Sequence, residues 1–316
     1  MFLDILVFVS GLFLLVTGAH FVTEYASKLA KTWGVSEYAI GITLVALSTS
    51  LPEIAISIIS GITSFIEPST NAINIATGTV IGSNITNIGL ILGVSALLMP
   101  LGLTKKYIKE EYFMAFLSVF LSIILFIGMD WIGGLILLAI IIGYILYLLS
   151  HREHSIVITA EEFYYKITTK RTLIDVILCF IGGIALVIGS TITIKSVLNI
   201  SSSFGISEFV IALVGISLGT SLPELLASVV AAIKRMRGIS IGNIIGSNIF
   251  NIIGLSIASL FSPLLTNTMM FIVDIPIMLI LSFLIIVFAK TERYISKREG
   301  TILLGIYILF ILLQTV

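Results

Sequence analysis

Charged side chains and cysteines are both scarce in this sequence. Charged residues make up 11% of the 316 residues, hydrophobic residues make up 58%, and the mean hydropathy is +1.19. A soluble domain is about a quarter charged, so this composition is typical of a protein embedded in a lipid bilayer. The single cysteine, Cys179, excludes an intramolecular disulfide. The formal net charge is zero, which does not indicate a nucleic-acid partner.

Metal-binding side chains of the soft kind are also rare. His151 and His154 lie in a polar stretch with no cysteine or further histidine nearby, so we interpret them as residues of a solvated linker. No cofactor and no obligate protein partner is expected. The opening residues, 1–22, lack the basic start of a signal peptide and are too long for its apolar core, which indicates a first spanning helix.

Apolar runs of 18 or more residues, each long enough to cross a hydrocarbon core of about 30 Å, recur along the chain. They predict an all-α polytopic membrane protein with ten transmembrane helices. The predicted spans lie near 2–23, 38–64, 72–99, 110–128, 131–149, 172–194, 207–233, 239–261, 269–289 and 300–315. The polar residues 151–171 separate five spans (1–150) from five (172–316) and form a predicted linker.

The basic residues predict the orientation. With ten spans, 16 of the 17 Lys and Arg residues fall on one face of the membrane and only Lys195 falls on the other. Cytoplasmic loops retain positive charge, so the linker is predicted to be cytoplasmic and both termini outside. The expected location is the plasma membrane, with the lipid bilayer as partner.

The two halves contain an internal repeat. The pentapeptide Thr-Ser-Leu-Pro-Glu occurs at 49–53 and again at 220–224, and Ile-Gly-Ser-Asn-Ile occurs at 81–85 and at 245–249. Each half has five predicted helices, an odd number, so the second copy enters the membrane from the opposite side. Inverted repeats bring matching broken helices together near the midplane, as transporters do for alternating access.

Two acidic residues, Glu53 and Glu224, are predicted to lie deep in the membrane. An unpaired charge at that depth costs at least about 2.5–3.5 kcal/mol, and no lysine or arginine lies in the predicted spans beside them. Either protons or bound cations must therefore neutralise them. The alternative is that both are protonated and only join helices.

Oxygen-bearing residues surround these glutamates in both copies. Pro52 and Pro223 interrupt their helices, so the carbonyls of 46–49 and 217–220 become candidate backbone ligands, unless the kinks are purely structural. One helix turn separates Ser83 from Asn87 and Ser247 from Asn251, so each pair shares a face. The glycine pairs 78/82 and 242/246 are interpreted as close-packing residues.

Carboxylate, hydroxyl, amide and carbonyl oxygens suit hard cations. Ca²⁺ takes 6–8 oxygens in flexible geometry, whereas Mg²⁺ is seldom held in an all-protein cage and soft metals prefer other ligands. Two carboxylates carry a charge of −2, which one Ca²⁺ or two Na⁺ would neutralise. Competition between these ions for one site is the basis of antiport.

The doubled Thr-Ser-Leu-Pro-Glu and Gly-Ser-Asn-x-x-Asn sequences resemble the two alpha repeats of the calcium/cation antiporter superfamily, in particular its prokaryotic sodium/calcium exchangers. The repeats would lie near 41–93 and 212–257. The resemblance implies sliding of the first and sixth helices as the gating motion. It also implies an ion site formed by Glu53, Glu224, Thr49, Thr220, Ser50, Ser221, Ser83, Ser247, Asn87, Asn251, Ala46 and Ser217. Some relatives carry aspartate where this chain has Asn251, which argues against potassium co-transport here.

We therefore predict a sodium/calcium antiporter driven by the Na⁺ gradient, and not an enzyme. The nearest alternative is a Ca²⁺/H⁺ exchanger, in which protons on Glu53 and Glu224 replace Na⁺. A cation channel is a further alternative that the repeat alone does not exclude. An intramembrane hydrolase would need a histidine or aspartate placed to activate a serine, and no membrane-embedded residue of either type is predicted to be in position to do so.

Overall fold

The computed structural model describes residues 2–34, 36–66, 70–102, 108–150, 169–203, 221–264, 270–291 and 294–314, and it is almost wholly helical there. The α-helices of this part of the chain are α1 (Phe2–Trp33), α2 (Glu37–Ile40), α3 (Ala46–Thr49), α4 (Leu51–Ile66), α5 (Thr70–Thr86), α6 (Gly93–Leu98), α7 (Ile108–Ile127), α8 (Trp131–Ser150), α9 (Thr169–Ser203), α10 (Leu222–Ile233), α11 (Arg237–Ser259), α12 (Ile275–Thr291) and α13 (Lys297–Leu313).

Three π-helical segments and two short strands complete the described elements. The π-helical segments are Gly41–Val45, Asn87–Leu92 and Met270–Asp274. Strand β1 (Leu101–Gly102) pairs antiparallel with β2 (Tyr294–Ile295). These strands were not predicted, since two residues are too few to show an alternating pattern.

Six helices of the described residues are long and apolar enough to cross a membrane. They lie at Asp4–Trp33, Ala76–Leu98, Lys109–Ile127, Thr172–Gly189, Arg237–Ser259 and Met270–Lys290. Glu37–Thr49 and Leu51–Ile66, two helical stretches separated by a break, pass the same test together and count as a seventh span if the pair crosses the membrane as one. The prediction of a polytopic helical membrane protein is confirmed at this level. The predicted span near 207–233 lies partly outside the described residues.

The break in the first copy falls where the proline predicts it. The helix stops at Thr49, Ser50 is a bend, and α4 begins at Leu51 with Pro52 in its first turn. A proline is tolerated in the first turn of a helix because the backbone N–H that proline lacks would have no partner within the helix there. In the second copy, α10 begins at Leu222 with Pro223 in its first turn, and the residues before Ser221 lie outside the described part of the chain.

The chain divides into two compact units that each draw on both halves of the sequence. Unit 1 comprises 1–49 and 153–243, and unit 2 comprises 50–152 and 244–316. In unit 1, α1 packs along α9, and the fully buried Ala19, Val22 and Leu186 belong to its apolar core. Helix α10 packs against the same α1.

Close backbone approach in unit 1 depends on Gly242. A Cβ added there would lie 2.5 Å from the carbonyl oxygen of Tyr38 and 2.7 Å from the amide nitrogen of Ile42, closer than van der Waals contact allows. The packing interpretation is confirmed for this glycine. A Cβ added at Gly78 or Gly82 would have no atom of the described part of the chain within 4 Å, so the packing interpretation is not supported at these two glycines.

In unit 2, α4 packs against α5 and also lies against the second half of α11. A Cβ added at Gly254 would lie 2.9 Å from the Cα of Ile54, so glycine permits this close approach of α11 to α4. Helices α7 and α12 pack together, and the Ser282 hydroxyl donates to the Ser118 hydroxyl at 3.2 Å. These contacts place Glu53 in a protein interior.

Candidate functional site

Both predicted acidic residues are removed from solvent. The Glu53 side chain is 0% exposed and the Glu224 side chain is 1% exposed. Each is the third residue of its helix, Glu53 in α4 and Glu224 in α10, and each directly follows a proline. Glu53 belongs to unit 2 and Glu224 to unit 1, so the surroundings of each are described separately.

In unit 2, serine hydroxyls contact Glu53 from two sides. The Ser83 hydroxyl of α5 donates to Oε1 of Glu53 at 3.5 Å, a long hydrogen bond. The Ser57 hydroxyl, one turn further along α4, donates to the backbone carbonyl of Glu53 at 2.8 Å. The prediction that Ser83 lies beside Glu53 is confirmed.

Four asparagines form a hydrogen-bonded cluster in unit 2. The Asn251 amide donates to Oδ1 of Asn84 at 3.0 Å, and the Asn87 amide donates to Oδ1 of Asn248 at 3.2 Å. The Asn84 amide donates to the backbone carbonyl of Asn248 at 3.3 Å. The Asn248 amide donates to the sulfur of Met114 at 3.3 Å. This four-asparagine cluster joins α5 and its π-helical continuation to α11.

Several buried oxygens in the same unit have no hydrogen-bond partner among the described residues, and three of them belong to uncharged residues of the predicted site. They are Oδ1 of Asn87, Oδ1 of Asn251 and the hydroxyl of Ser247. Asn87 and Asn251 are each 1% exposed and Ser247 is 0% exposed. A buried polar atom without a partner costs about 1–3 kcal/mol, which makes these three oxygens candidates for contact with a ligand. Carbonyl and hydroxyl oxygens can donate their lone pairs to a hard cation.

In unit 1, one asparagine contacts the residues around Glu224. The Asn243 amide donates to the backbone carbonyl of Glu224 at 3.3 Å and to the hydroxyl of Ser228 at 2.9 Å. Its Oδ1 accepts the hydroxyl of Thr49 at 3.2 Å. The Thr49 hydroxyl also lies 3.3 Å from the carbonyl oxygen of Ala46. Thr49 and the first turn of α10 are therefore joined through one amide.

Ten of the twelve predicted site residues lie in the described part of the chain, and none is more than 4% exposed. They are Ala46, Thr49, Ser50, Glu53, Ser83, Asn87, Ser221, Glu224, Ser247 and Asn251. The remaining two, Ser217 and Thr220, lie outside the described residues. The contacts of Asn243, Ser228 and Met114 were not predicted. A signal for Asn243 was its position one helix turn before Ser247.

The ligand chemistry is dominated by neutral oxygens. Among the described residues, no group of three or more His, Cys, Asp or Glu side chains could hold a metal ion. The predicted site residues would offer one carboxylate in each unit, accompanied by hydroxyl and amide oxygens. Such a set suits hard cations that tolerate a mixed oxygen shell, above all Ca²⁺ and Na⁺.

A family model described as sodium/calcium exchanger protein matches residues 3–150 and 174–316. The chain is 33% identical over 305 residues to the uncharacterized membrane protein MJ0091 of Methanocaldococcus jannaschii, covering 96% of this chain and 95% of that protein. It is 31% identical over 353 residues to the sodium/calcium exchanger MaX1 of Methanosarcina acetivorans, covering 98% of this chain and 97% of that exchanger.

The fold is similar to solved structures of the sodium-calcium exchanger NCX_Mj. With the form soaked in zero Na⁺ and Ca²⁺, the TM-score is 0.84 at 31% sequence identity, covering 98% of this chain and 97% of that one. With the form soaked in 10 mM Na⁺ and zero Ca²⁺, the TM-score is 0.83 at the same identity. These likenesses cover nearly the full length of both chains.

Proposed function

The chain belongs to the sodium/calcium exchanger protein family, and from this premise we propose that it is a secondary antiporter that exchanges Na⁺ for Ca²⁺ across a membrane. Na⁺ and Ca²⁺ are the transported ions and compete for the same oxygens. The inward Na⁺ gradient drives Ca²⁺ outward as the protein alternates between two access states.

Glu53 and Glu224 are the charged ligands of this proposal. The observation that carries it is the burial, at 0% and 1% exposure, of two carboxylates that end the same pentapeptide in the two copies of the repeat. An intramembrane acidic residue is a functional-site hypothesis by default, since its charge is expensive without a compensating cation or proton. Together they supply −2, which one Ca²⁺ neutralises. Three Na⁺ in place of one Ca²⁺ would leave +1, and transport would be electrogenic.

Neutral oxygens complete the proposed coordination shell. The donor-free oxygens of Asn87, Asn251 and Ser247 are available to a cation in unit 2. The remaining proposed ligands are the buried Ala46, Thr49, Ser50, Ser83 and Ser221, together with Ser217 and Thr220. Ca²⁺ takes 6–8 oxygens at 2.3–2.6 Å in adaptable geometry, which a mixture of side-chain and backbone oxygens provides.

The proposal includes ten spans in two inverted five-helix repeats, 1–150 and 172–316, with 151–171 as the linker between them. Hydrogen bonds inside unit 2 support it, because they pair residues that the repeat makes equivalent. Ser118 and Ser282 are 164 residues apart, and so are Asn84 and Asn248, the spacing that relates the two Gly-Ser-Asn sequences. The bond of Asn251 to Asn84 and the bond of Asn87 to Asn248 exchange under the same relation.

The proposed location is the plasma membrane, with the linker cytoplasmic and both termini outside. The support is the distribution of the basic residues, of which Lys195 alone lies on the proposed outer face. The inward Na⁺ gradient across this membrane, and not the orientation of the chain, sets the outward direction of Ca²⁺ transport. The lipid bilayer is the only partner that the proposal requires besides the two ions.

The test is ⁴⁵Ca²⁺ uptake into proteoliposomes that contain the purified protein. An outward Na⁺ gradient should drive uptake, whereas an equal K⁺ gradient or a pH gradient in Na⁺-free medium should not. Uptake driven by pH alone would instead support the Ca²⁺/H⁺ exchanger. Currents of single open channels would support a channel.

Isosteric variants test the site independently of the function. Glu53→Gln and Glu224→Gln keep side-chain size while removing one charge each, so both should abolish Na⁺-driven uptake. Normal uptake in both variants, alongside active unmodified protein, would exclude the glutamates as ligands while leaving the transport function standing.

A further inference from the structure

Asn243 lies at the point where two ligand-bearing segments of unit 1 meet. It is 0% exposed, and its side chain makes three hydrogen bonds, one to α3 and two to α10. Oδ1 accepts the Thr49 hydroxyl at 3.2 Å, at the end of α3. Nδ2 donates to the Ser228 hydroxyl at 2.9 Å and to the Glu224 carbonyl at 3.3 Å, in the first two turns of α10.

The hydrogen-bonding capacity of Asn243 is largely used by protein groups. Both N–H groups have protein acceptors and one lone pair of Oδ1 has a protein donor, which leaves only the second lone pair of Oδ1 for any other partner. The residue therefore acts through its neighbours. Because the Thr49 hydroxyl hydrogen points toward Asn243 or Ala46, the lone pairs of the Thr49 oxygen are left for another partner. Hydrogen bonds from residues behind the ion-binding side chains orient metal ligands in this way.

The two copies of the repeat differ at this position. The spacing of 164 residues that relates the Gly-Ser-Asn sequences places Thr79 opposite Asn243. A threonine hydroxyl has one hydrogen to donate, so it cannot make the two donations that the Asn243 amide makes. The three-way junction is thus a property of the second copy alone, and it is absent from the shared motif.

We propose that Asn243 is a positioning residue for ion binding, which holds the Thr49 hydroxyl and the first turn of the Glu224 helix in the geometry that Ca²⁺ requires. This inference rests on the proposed function. Loss of the junction lets Thr49 rotate and α10 shift, so that the ion meets a less ordered set of oxygens. Binding weakens, while the steps that move the bound ion across the membrane are unchanged.

The test is Asn243→Thr, which gives the second copy the residue of the first, measured as Na⁺-driven ⁴⁵Ca²⁺ uptake in proteoliposomes. The KM for Ca²⁺ should rise about tenfold, the factor that corresponds to loss of one buried hydrogen bond of ordinary strength. The maximal rate per folded protein should stay within about twofold of the unmodified rate. A solely structural role would lower the amount of folded protein without this division between KM and rate.

Ser240→Ala is the matched control, one helix turn earlier on α11. Ser240 is 0% exposed and its hydroxyl has no partner among the described residues, so the variant removes a buried oxygen without breaking such a bond. Its KM should equal that of the unmodified protein. A KM in Asn243→Thr equal to that in Ser240→Ala would overturn the inference.

A double-variant cycle with Thr49→Val adds a second readout. If Asn243 acts through Thr49, the KM of the double variant will be lower than the product of the two single effects predicts. Fully multiplicative effects would overturn the coupling. Absence of Na⁺-driven uptake in the unmodified protein would instead refute the proposed function, so the two failures are distinguishable.

Discussion

Neutralising Glu53 is the sharpest perturbation of the proposed site. Glu53→Gln preserves the size of a side chain that is 0% exposed, and the oxygen of the new amide can still accept the Ser83 hydroxyl, which lies 3.5 Å from Oε1 of Glu53. The variant should therefore fold. A cation can compensate for burial of the carboxylate but not for burial of the N–H groups of the new amide. The free energy of unfolding should therefore fall by at most about 1–3 kcal/mol.

The expected effect on ion binding is much larger. At an effective dielectric constant of about 20, a unit negative charge and a Ca²⁺ ion about 4 Å apart attract by about 8 kcal/mol. Dehydration of the ion and its other oxygen ligands offset part of this, and removing one member of a buried charge pair usually costs about 3–5 kcal/mol. The Ca²⁺ affinity should therefore fall by roughly 150-fold to 5,000-fold.

Titration calorimetry of the purified protein with Ca²⁺ measures this loss directly, and melting curves measure the folded fraction. Glu111→Gln is the matched control in unit 2. Glu111 is also 0% exposed, and neither of its carboxyl oxygens has a hydrogen-bond partner among the described residues. Glu111→Gln should keep the Ca²⁺ affinity within about twofold. Equal affinities in the two variants would refute the assignment of Glu53 as a ligand.

Two further variants test the packing and the neutral ligands. Gly242→Ala should lower the melting temperature, because the added Cβ would lie 2.5 Å from the Tyr38 carbonyl oxygen. Gly82→Ala is the control and should leave the melting temperature unchanged, because its Cβ would meet no described atom within 4 Å. Equal melting temperatures in the two variants would contradict the packing argument. Asn251→Asp should make the KM for Ca²⁺ fall as pH rises. The new carboxyl must be protonated to bond Oδ1 of Asn84, 3.0 Å from the present amide nitrogen, and its ionisation adds a negative charge. Parallel pH profiles in the variant and the unmodified protein would count against Asn251 as a ligand.

The sequence predicted the buried acids and the first helix break because a charged residue and a helix-breaking residue are both unusual inside an apolar span. A glutamate and a proline inside a long apolar run, repeated with the same neighbours 171 residues later, have few explanations in a membrane protein. The structure confirms that Pro52 lies in the first turn of α4 and that Glu53 is fully buried. Composition and hydropathy alone were sufficient for the helical membrane class.

Other features could not be obtained by comparing the chain with itself. Such a comparison draws attention to residues that recur. Asn243 corresponds to Thr79 in the other copy and so does not recur, which is why its hydrogen bonds were missed. Contacts with Met114 were also missed, because a methionine in an apolar helix carries no signal of a polar neighbour.

The four-asparagine cluster carries no net charge, since an amide neither gains nor loses a proton at ordinary pH. Acidification therefore leaves its bonds intact, and the electric field across a membrane exerts no net force on it. A voltage-dependent rate would have to originate in charged groups, such as the two glutamates and the ions that accompany them, and not in this cluster. The side-chain hydrogen bonds between α5 and α11 can thus hold these two helices together unchanged, while the charge around them changes as ions bind and leave in each transport cycle.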